Sequence, residues 1–146
     1  MHHLVLLLLL MATAAGFAGV QAPFEADTLP TSAGDLRITF IGHGTLMFQH
    51  AGVVVHVDPV SQYADFATLP KADIILVTHA HGDHLDPKAI AALRKADTTL
   101  IGNGQSAAGT PGMTAMKNGD VRTVRGVRVE AVPAYNVVNK QFHPKG

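Results

Sequence analysis

At 146 residues, the chain is long enough for one domain with a substantial core but short for two. Apolar residues make up 47% of the chain and charged residues 15%, which is typical of a globular protein and argues against disorder. Lysine plus arginine balances aspartate plus glutamate at 11 each, so no net charge favours a nucleic-acid partner, and the lack of cysteine excludes disulfides and thiolate metal sites.

A run of apolar and small residues opens the sequence, from Leu4 to Val20. Leucines come first and alanine and glycine follow, an order typical of a secretory signal peptide. We therefore predict a signal peptide over residues 1–22, a partial domain over residues 23–146, and a periplasmic or secreted location. An uncleaved anchor and a misassigned start are the alternatives. Because 17 residues diluted with alanine and glycine barely span a bilayer core of about 30 Å, we expect no membrane contact beyond the leader.

A polar linker is predicted over residues 21–34, and a strand follows it. Leu36, Ile38 and Phe40 alternate with polar residues, which is the period of a strand that buries one face. We expect these three side chains to point into the core.

The next predicted elements are a hairpin and a buried strand. Residues 45–50 and 53–58 have the pattern of strands and are joined by the short turn 51–52. Residues 61–71 are expected to form a loop or a short helical turn. The unbroken apolar run 74–77 predicts a strand covered on both faces.

A helix is predicted to begin at Asp86 and Pro87. The acid caps the helix, and the proline occupies the first helical position, where its missing N–H leaves no hydrogen bond unmade. Ile90, Ala91 and Leu93 are expected to form the apolar stripe of this helix.

Beyond the helix, residues 98–101 predict another strand, and residues 102–112, rich in glycine, serine and threonine, predict a surface loop. Residues 121–124 and 127–132 predict a second hairpin. Strands, a strand–helix–strand unit and a further hairpin together indicate an α/β fold with a mixed sheet.

The segment after the buried strand concentrates residues that bind metals. His79 and His81 are two positions apart, so in an extended segment they project to the same side and can share one ion. Gly82 allows a tight turn, after which Asp83 and His84 can address a second position. Imidazole and carboxylate bind divalent metals near neutral pH, and α/β folds build their sites where such strands end. The pattern predicts a metal site rather than scattered solvated histidines.

This segment, Thr78 to His84, resembles the signature of the metallo-β-lactamase superfamily, in its small exported branch of metallo-hydrolases. Similar flanking motifs are Ile41 to Thr45, Asp58-Pro59, Leu85 to Pro87, Pro133 to Asn136 and Phe142 to Gly146. The resemblance implies the N-terminal half of an αββα sandwich, with a mixed sheet and a dinuclear metal site. It assigns His79 and His81 to the first metal, and Asp83 and His84 to the second. His143 is the candidate third ligand of the first metal, with an exposed tail histidine as the alternative.

Two further residues are expected to support the metal ligands rather than to bind metal. His43 lies in a break between two glycines, where it either faces the site or fills a turn. Asp58 ends a strand and either hydrogen-bonds the metal-binding segment or forms an Asp-Pro turn. His50 and His56 alternate with apolar positions and are expected to be ordinary strand residues.

The resemblance implies a metal-dependent hydrolase that acts on a small-molecule substrate. In this interpretation metal-activated water, oriented by Asp83, attacks an ester, lactone, amide or phosphodiester. Nitrogen and oxygen ligands favour zinc, as one or two ions, with iron or manganese as alternatives.

Members of this family continue into further strands that supply a Gly-Asp-Thr segment and a later histidine. The sequence ends at Gly146 without either, so we expect a C-terminally truncated member with weak activity or none. The alternative function is a non-catalytic metal-binding or interaction domain, in which an exposed sheet face drives formation of a homo-oligomer.

Overall fold

The computed structural model describes residues 24–141, so the predicted signal peptide and His143 lie outside the described residues. The strands are β1 (Ala26–Thr31), β2 (Gly34–Gly42), β3 (Thr45–His50), β4 (Val53–Val57), β5 (Ile74–Val77), β6 (Thr99–Gly102), β7 (Met113–Ala115), β8 (Val121–Val124) and β9 (Val127–Glu130), and the helices are α1 (Pro87–Leu93) and α2 (Gly104–Gly109). Neither helix in this part of the chain is long and apolar enough to cross a membrane.

Seven of the strands form one sheet, in the order β1 to β7 along the chain. Neighbouring strands from β1 to β4 run antiparallel, and those from β4 to β7 run parallel. Strands β8 and β9 form a separate hairpin. The mixed sheet confirms the predicted α/β fold. Because β4, β5 and β6 are parallel, the loops that follow them leave from the same edge of the sheet.

Helix α1 begins at the predicted residue. The Asp86 carboxylate accepts hydrogen bonds from the backbone N–H groups of Lys88 and Ala89, and Pro87 occupies the first turn. A third N–H, from Ser61, donates to the same carboxylate at 2.7 Å and ties the preceding loop to the helix. Burial raises the pKa of Asp86, but these hydrogen bonds outweigh burial and hold the pKa below its usual value.

The main core lies between α1 and one face of the sheet. Ile90 and Leu93 face this core as predicted, but Ala89 is buried with them rather than Ala91, because residues four apart lie on the same side of a helix. The buried members of the core are Ile41, Met47, Ala64, Phe66, Ala72, Ile75, Val77, Ala89, Ile90, Leu93 and Leu100. This layer fixes the strands whose ends carry the metal-binding segment.

The most buried face of β2 is opposite to the predicted one. Thr39 and Ile41 are only 4% and 7% exposed, whereas Phe40 is 44% exposed. Leu36 and Ile38 share the face of Phe40 and are half-buried. The alternation of apolar and polar residues therefore predicted the strand correctly. It did not predict which face is more buried, because helix α1 packs on the side of Ile41.

The second face of the sheet is also apolar. Ile38, Phe48, Val55 and Ile74 occupy adjacent positions on four neighbouring strands of this face. A cleft of about 440 Å³ separates part of the face from Val127 and neighbouring residues of the β8–β9 hairpin. Within the described residues, this face is therefore only partly covered.

Two of the predicted loops contain regular structure. Residues 26–31 of the predicted linker form β1, an exposed edge strand that pairs with β2. Its residues do not alternate between apolar and polar types, so there was no period-two signal for a strand here. Residues 102–112 contain α2, which begins where the Asn103 side chain accepts a hydrogen bond from the Ser106 N–H. The short strand β7 was not predicted.

Both predicted hairpins are present. Their turns, residues 51–52 and 125–126, have positive φ at all four positions, as two-residue turns between twisted strands require. The last strand of the second hairpin ends at Glu130, two residues before the predicted end. The segment 61–71 forms the predicted loop with turns.

His56, on β4, is fully buried in the core. Its Nε2 lies 3.0 Å from the carbonyl oxygen of Pro70, so Nε2 donates and Nδ1 is left as an acceptor with no partner among the described residues. Burial lowers the pKa of His56, and the hydrogen bond to Pro70 offsets this effect only in part.

We therefore predict that the metal-free protein loses stability as the pH falls through about 6.5, the pKa of an unfolded histidine. Below that pH the imidazole of His56 is protonated in the unfolded chain, whereas burial disfavours protonation of the same ring in the folded protein. Urea denaturation at about pH 7.5 and about pH 5.5, with a chelator present, measures the loss. The variant His56→Gln should lose less stability than wild type, and His50→Gln should behave as wild type. An equal loss in His56→Gln would contradict this account.

Candidate metal centre

The predicted metal-binding segment leaves the end of β5 beside the end of β4. Asp58, the residue after β4, is 2% exposed, and its carboxylate accepts hydrogen bonds from the backbone N–H and the hydroxyl of Thr78, at 2.8 and 2.7 Å. The N–H of Asp58 donates to the carbonyl oxygen of Leu76 at 2.9 Å. These bonds join the ends of two parallel strands and hold the first residue of the segment in place.

The same carboxylate determines the tautomer of His84. Oδ2 of Asp58 lies 2.8 Å from Nδ1 of His84. Because a carboxylate only accepts hydrogen bonds, Nδ1 carries the proton and Nε2 keeps its lone pair. Asp58 therefore leaves His84 ready to bind a metal through Nε2.

Two glycines let aromatic rings pack on either side of His43, in the turn between β2 and β3. A Cβ on Gly42 would lie 2.9 Å from the ring of Tyr63, and a Cβ on Gly44 would lie 3.1 Å from the ring of His84. The His43 ring centroid lies 6.2 Å from that of Tyr63 and 5.0 Å from that of His84. His43 itself has a left-handed φ of 51°, a conformation that costs a residue other than glycine about 1–2 kcal/mol.

His43, Asp83 and His84 bring three potential metal ligands together. Nε2 of His43 lies 3.3 Å from Oδ2 of Asp83, and Nε2 of His84 lies 3.8 Å from the same oxygen. One donor atom from each of the three residues lies within 4.8 Å of the others. Ligands about 2.0–2.1 Å from a tetrahedral zinc ion are about 3.3–3.4 Å apart, so this set of atoms fits a divalent metal.

His79 and His81 lie beside these three residues. Nε2 of His79 is 3.1 Å from Nδ1 of His81, a separation that also suits two ligands of one ion. The Thr78 hydroxyl lies 3.0 Å from Nδ1 of His79, and the ring centroids of His79 and His84 are 4.1 Å apart. The structure thus brings four of the five predicted ligands, His79, His81, Asp83 and His84, into one patch together with His43.

The carboxylate of Asp83 is ionised at neutral pH. A hydrogen bond from its own backbone N–H is the main cause that lowers the pKa of Asp83, and it outweighs a slight desolvation. The neighbouring rings of His84, His43 and His79 lower the pKa further. An ionised carboxylate with 55% of its side chain exposed is available to a cation from solution.

Residues 37–146 match the sequence profile of a family described as the beta-lactamase superfamily domain. The chain belongs to this superfamily. Its seven-stranded mixed sheet, with the histidine-rich segment at the end of β5, is the superfamily's α/β arrangement, as the sequence predicted.

Several known members of the superfamily are similar to this chain. The structure of a protein described as a metal-dependent hydrolase from Parabacteroides distasonis superposes with a TM-score of 0.77, at 50% identity, over 82% of this chain and 55% of that protein. A UPF0173 metal-dependent hydrolase from Methanopyrus kandleri is 33% identical over 110 residues, which are 69% of this chain and 47% of the relative. One from Flavobacterium johnsoniae is 39% identical over 77 residues, 48% of this chain and 33% of the relative. The chain spans about half the length of the first two relatives.

One predicted ligand, His143, falls outside the described residues. His50, which was predicted to be an ordinary strand residue, lies at the far end of β3, where its Nδ1 is 3.2 Å from the carbonyl oxygen of Asp35. Sequence reasoning missed Tyr63, because nothing in the loop 61–71 indicated that its ring would reach the turn at His43.

The two glycines near His84 have roles that the sequence did not distinguish. The turn of the segment closes through a hydrogen bond from the His84 N–H to the carbonyl oxygen of His81, at 3.0 Å. Gly82 lies in this turn, yet its φ is not left-handed and a Cβ there would meet nothing within 4 Å. The predicted turn at Gly82 is present, but its backbone does not require glycine, whereas Gly44 is needed because His84 occupies the space of a side chain.

We predict that Gly44→Ala destabilises the metal-free protein by about 1–3 kcal/mol, because the added methyl displaces a ring that Asp58 holds in place. Gly82→Ala is the matched control and should change stability by no more than about 0.5 kcal/mol. Both substitutions restrict the unfolded chain in the same way, so the difference between them isolates the contact with His84. Urea denaturation measures both values, and equal stabilities would show that the ring of His84 is free to move.

Proposed function

We propose that this superfamily member is the metal-binding part of a metal-dependent hydrolase. The proposed substrate is a small molecule with an ester, lactone, amide or phosphodiester bond. The main support is the convergence of two pairs of ligands from one segment, His79 with His81 and Asp83 with His84, at the carboxyl ends of parallel strands. Relatives of which this chain spans about half the length are described as metal-dependent hydrolases, so the activity of the whole protein is part of this proposal.

The proposed metal is zinc, as one or two ions. All available ligands are nitrogen or oxygen atoms, which zinc accepts, and iron and manganese are the alternatives. When bound, such an ion acts as a Lewis acid and lowers the pKa of water.

The residues of the patch have separate parts in this proposal. His79 and His81 hold the first metal, and Asp83 and His84 hold the second. By accepting a hydrogen bond from Nδ1, Asp58 selects the tautomer of the neutral His84 ring whose Nε2 lone pair is available to a metal. The carboxylate of Asp83 also accepts a hydrogen bond from the attacking water and orients it toward the substrate. Because the side chain of Asp83 is 55% exposed, a substrate reaches it without a conformational change.

We propose a periplasmic or secreted location on the strength of the apolar run before residue 22. The balanced charge of the chain gives no support to a nucleic-acid partner.

A second candidate function is a non-catalytic metal-binding or interaction domain. The observation that favours it is the partly covered apolar face of the sheet, on which Leu29 and Phe40 are 48% and 44% exposed. A second copy of the chain is one partner that could cover this face, which would give a homo-oligomer.

Steady-state assays of the purified chain with added zinc or manganese distinguish the two functions. We expect slow, metal-dependent hydrolysis of at least one substrate in a panel of esters, lactones, amides and phosphodiesters. Asp83→Asn should lower kcat/KM by at least about 100-fold, since even the loss of an outer-shell partner of a metal ligand costs about 10–100-fold. His50→Ala, which removes a histidine far from the patch, should leave kcat/KM unchanged.

If the chain binds its full complement of metal but hydrolyses no substrate of the panel, the hydrolase proposal is rejected for this chain. If sedimentation also showed concentration-dependent self-association, the interaction domain would be the better account.

A further inference from the structure

We infer that His43 is a direct metal ligand, and that His43, Asp83 and His84 form a three-ligand site for one divalent cation. The sequence alone suggested a supporting part for His43. The inference rests on the proposed metal-dependent function, but it concerns which residues bind the metal, not which reaction follows.

The first support is the separation of the ligand atoms. Nε2 of His43 and Nε2 of His84 approach the same carboxylate oxygen of Asp83, at 3.3 and 3.8 Å. One ligand atom from each of the three residues lies within 4.8 Å of the others, and the 3.3 Å separation equals the edge of a tetrahedron of ligands about 2.0–2.1 Å from zinc. Of the two nitrogens of His84, the one that faces Asp83 is Nε2, which carries the lone pair in the neutral tautomer that donates from Nδ1 to Asp58.

The second support is the turn that carries His43. His43 and Gly44 form the two-residue turn between β2 and β3, and the φ of His43 is 51°, which suits the first position of such a turn. From this turn the imidazole of His43 reaches the carboxylate of Asp83, on the segment that follows β5.

The third support is the packing around the imidazole ring of His43. Gly42 and Gly44 leave room for the rings of Tyr63 and His84, which flank the imidazole of His43. Three protein ligands, two of them with side chains about half exposed, leave one coordination position open to solvent. The site therefore has the ligand number of a catalytic zinc rather than that of a closed structural one.

The deciding variant is His43→Gly in the full chain, with zinc as the probe. Glycine relieves the left-handed strain, so the metal-free variant should melt at the same temperature as wild type or higher. At the same time its affinity for one equivalent of zinc, measured by equilibrium dialysis with elemental analysis, should fall by more than about 100-fold, beyond the effect of losing an outer-shell partner. His43→Asn, which also tolerates a left-handed φ, is a second variant in case the glycine substitution disturbs the fold.

Two matched variants complete the experiment. His50→Ala should bind zinc as wild type does. The double variant His79→Ala/His81→Ala should still bind the one equivalent of zinc that His43→Gly loses. The inference is overturned if wild type binds no zinc, if His43→Gly binds it with an affinity within 100-fold of wild type, or if His50→Ala loses as much. Full zinc binding without any turnover would reject the proposed hydrolase and leave the assignment of His43 standing.

Discussion

The buried carboxylate of Asp58 is the constraint on which the rest of the site depends. Its two oxygens accept hydrogen bonds from the N–H and hydroxyl of Thr78 and from Nδ1 of His84. This one carboxylate thereby joins the ends of β4 and β5 and fixes where the histidine-rich segment begins. It also selects the tautomer of His84, which belongs to that segment. Because Asp58 is 2% exposed, water competes little for its oxygens, and these hydrogen bonds are what offsets the burial of its charge.

The sheet that carries Asp58 has two apolar faces, and they differ in how they are covered. Helix α1 closes one face over a continuous core, which makes the strand ends rigid enough to support a site. The other face is only partly covered by the β8–β9 hairpin within the described residues. The two proposed functions therefore fall on different parts of one sheet: the candidate metal site lies at its edge, and the proposed interaction surface is its second face. About half of the length of the Parabacteroides distasonis and Methanopyrus kandleri relatives lies outside the part that this chain matches.

Local signals in the sequence predicted much of this arrangement. The apolar run 74–77, the Asp86-Pro87 cap and the spacing of the histidine-rich segment each depend on neighbouring residues only, and the structure places a strand, a helix start and a cluster of donors there. What was missed depends on long-range packing. Both faces of β2 carry apolar residues, so the packing of α1 decided that Ile41, and not Phe40, is the more deeply buried. The approach of His43 to Asp83 likewise depends on the registers that join β2, β3, β4 and β5, which no local pattern encodes.

The tautomer of His84 in the metal-free protein tests the central claim most directly. Long-range ¹H–¹⁵N NMR spectra at about pH 7.5, where a free imidazole is mostly neutral, distinguish a proton on Nδ1 from one on Nε2. This account predicts Nδ1 protonation in wild type. In Asp58→Asn the amide oxygen is expected to accept from the Thr78 N–H, which turns the amide NH₂ toward His84 and favours a proton on Nε2 instead. A wild-type ring protonated on Nε2, or the same tautomer in both proteins, would contradict the proposal that Asp58 prepares the site for a metal.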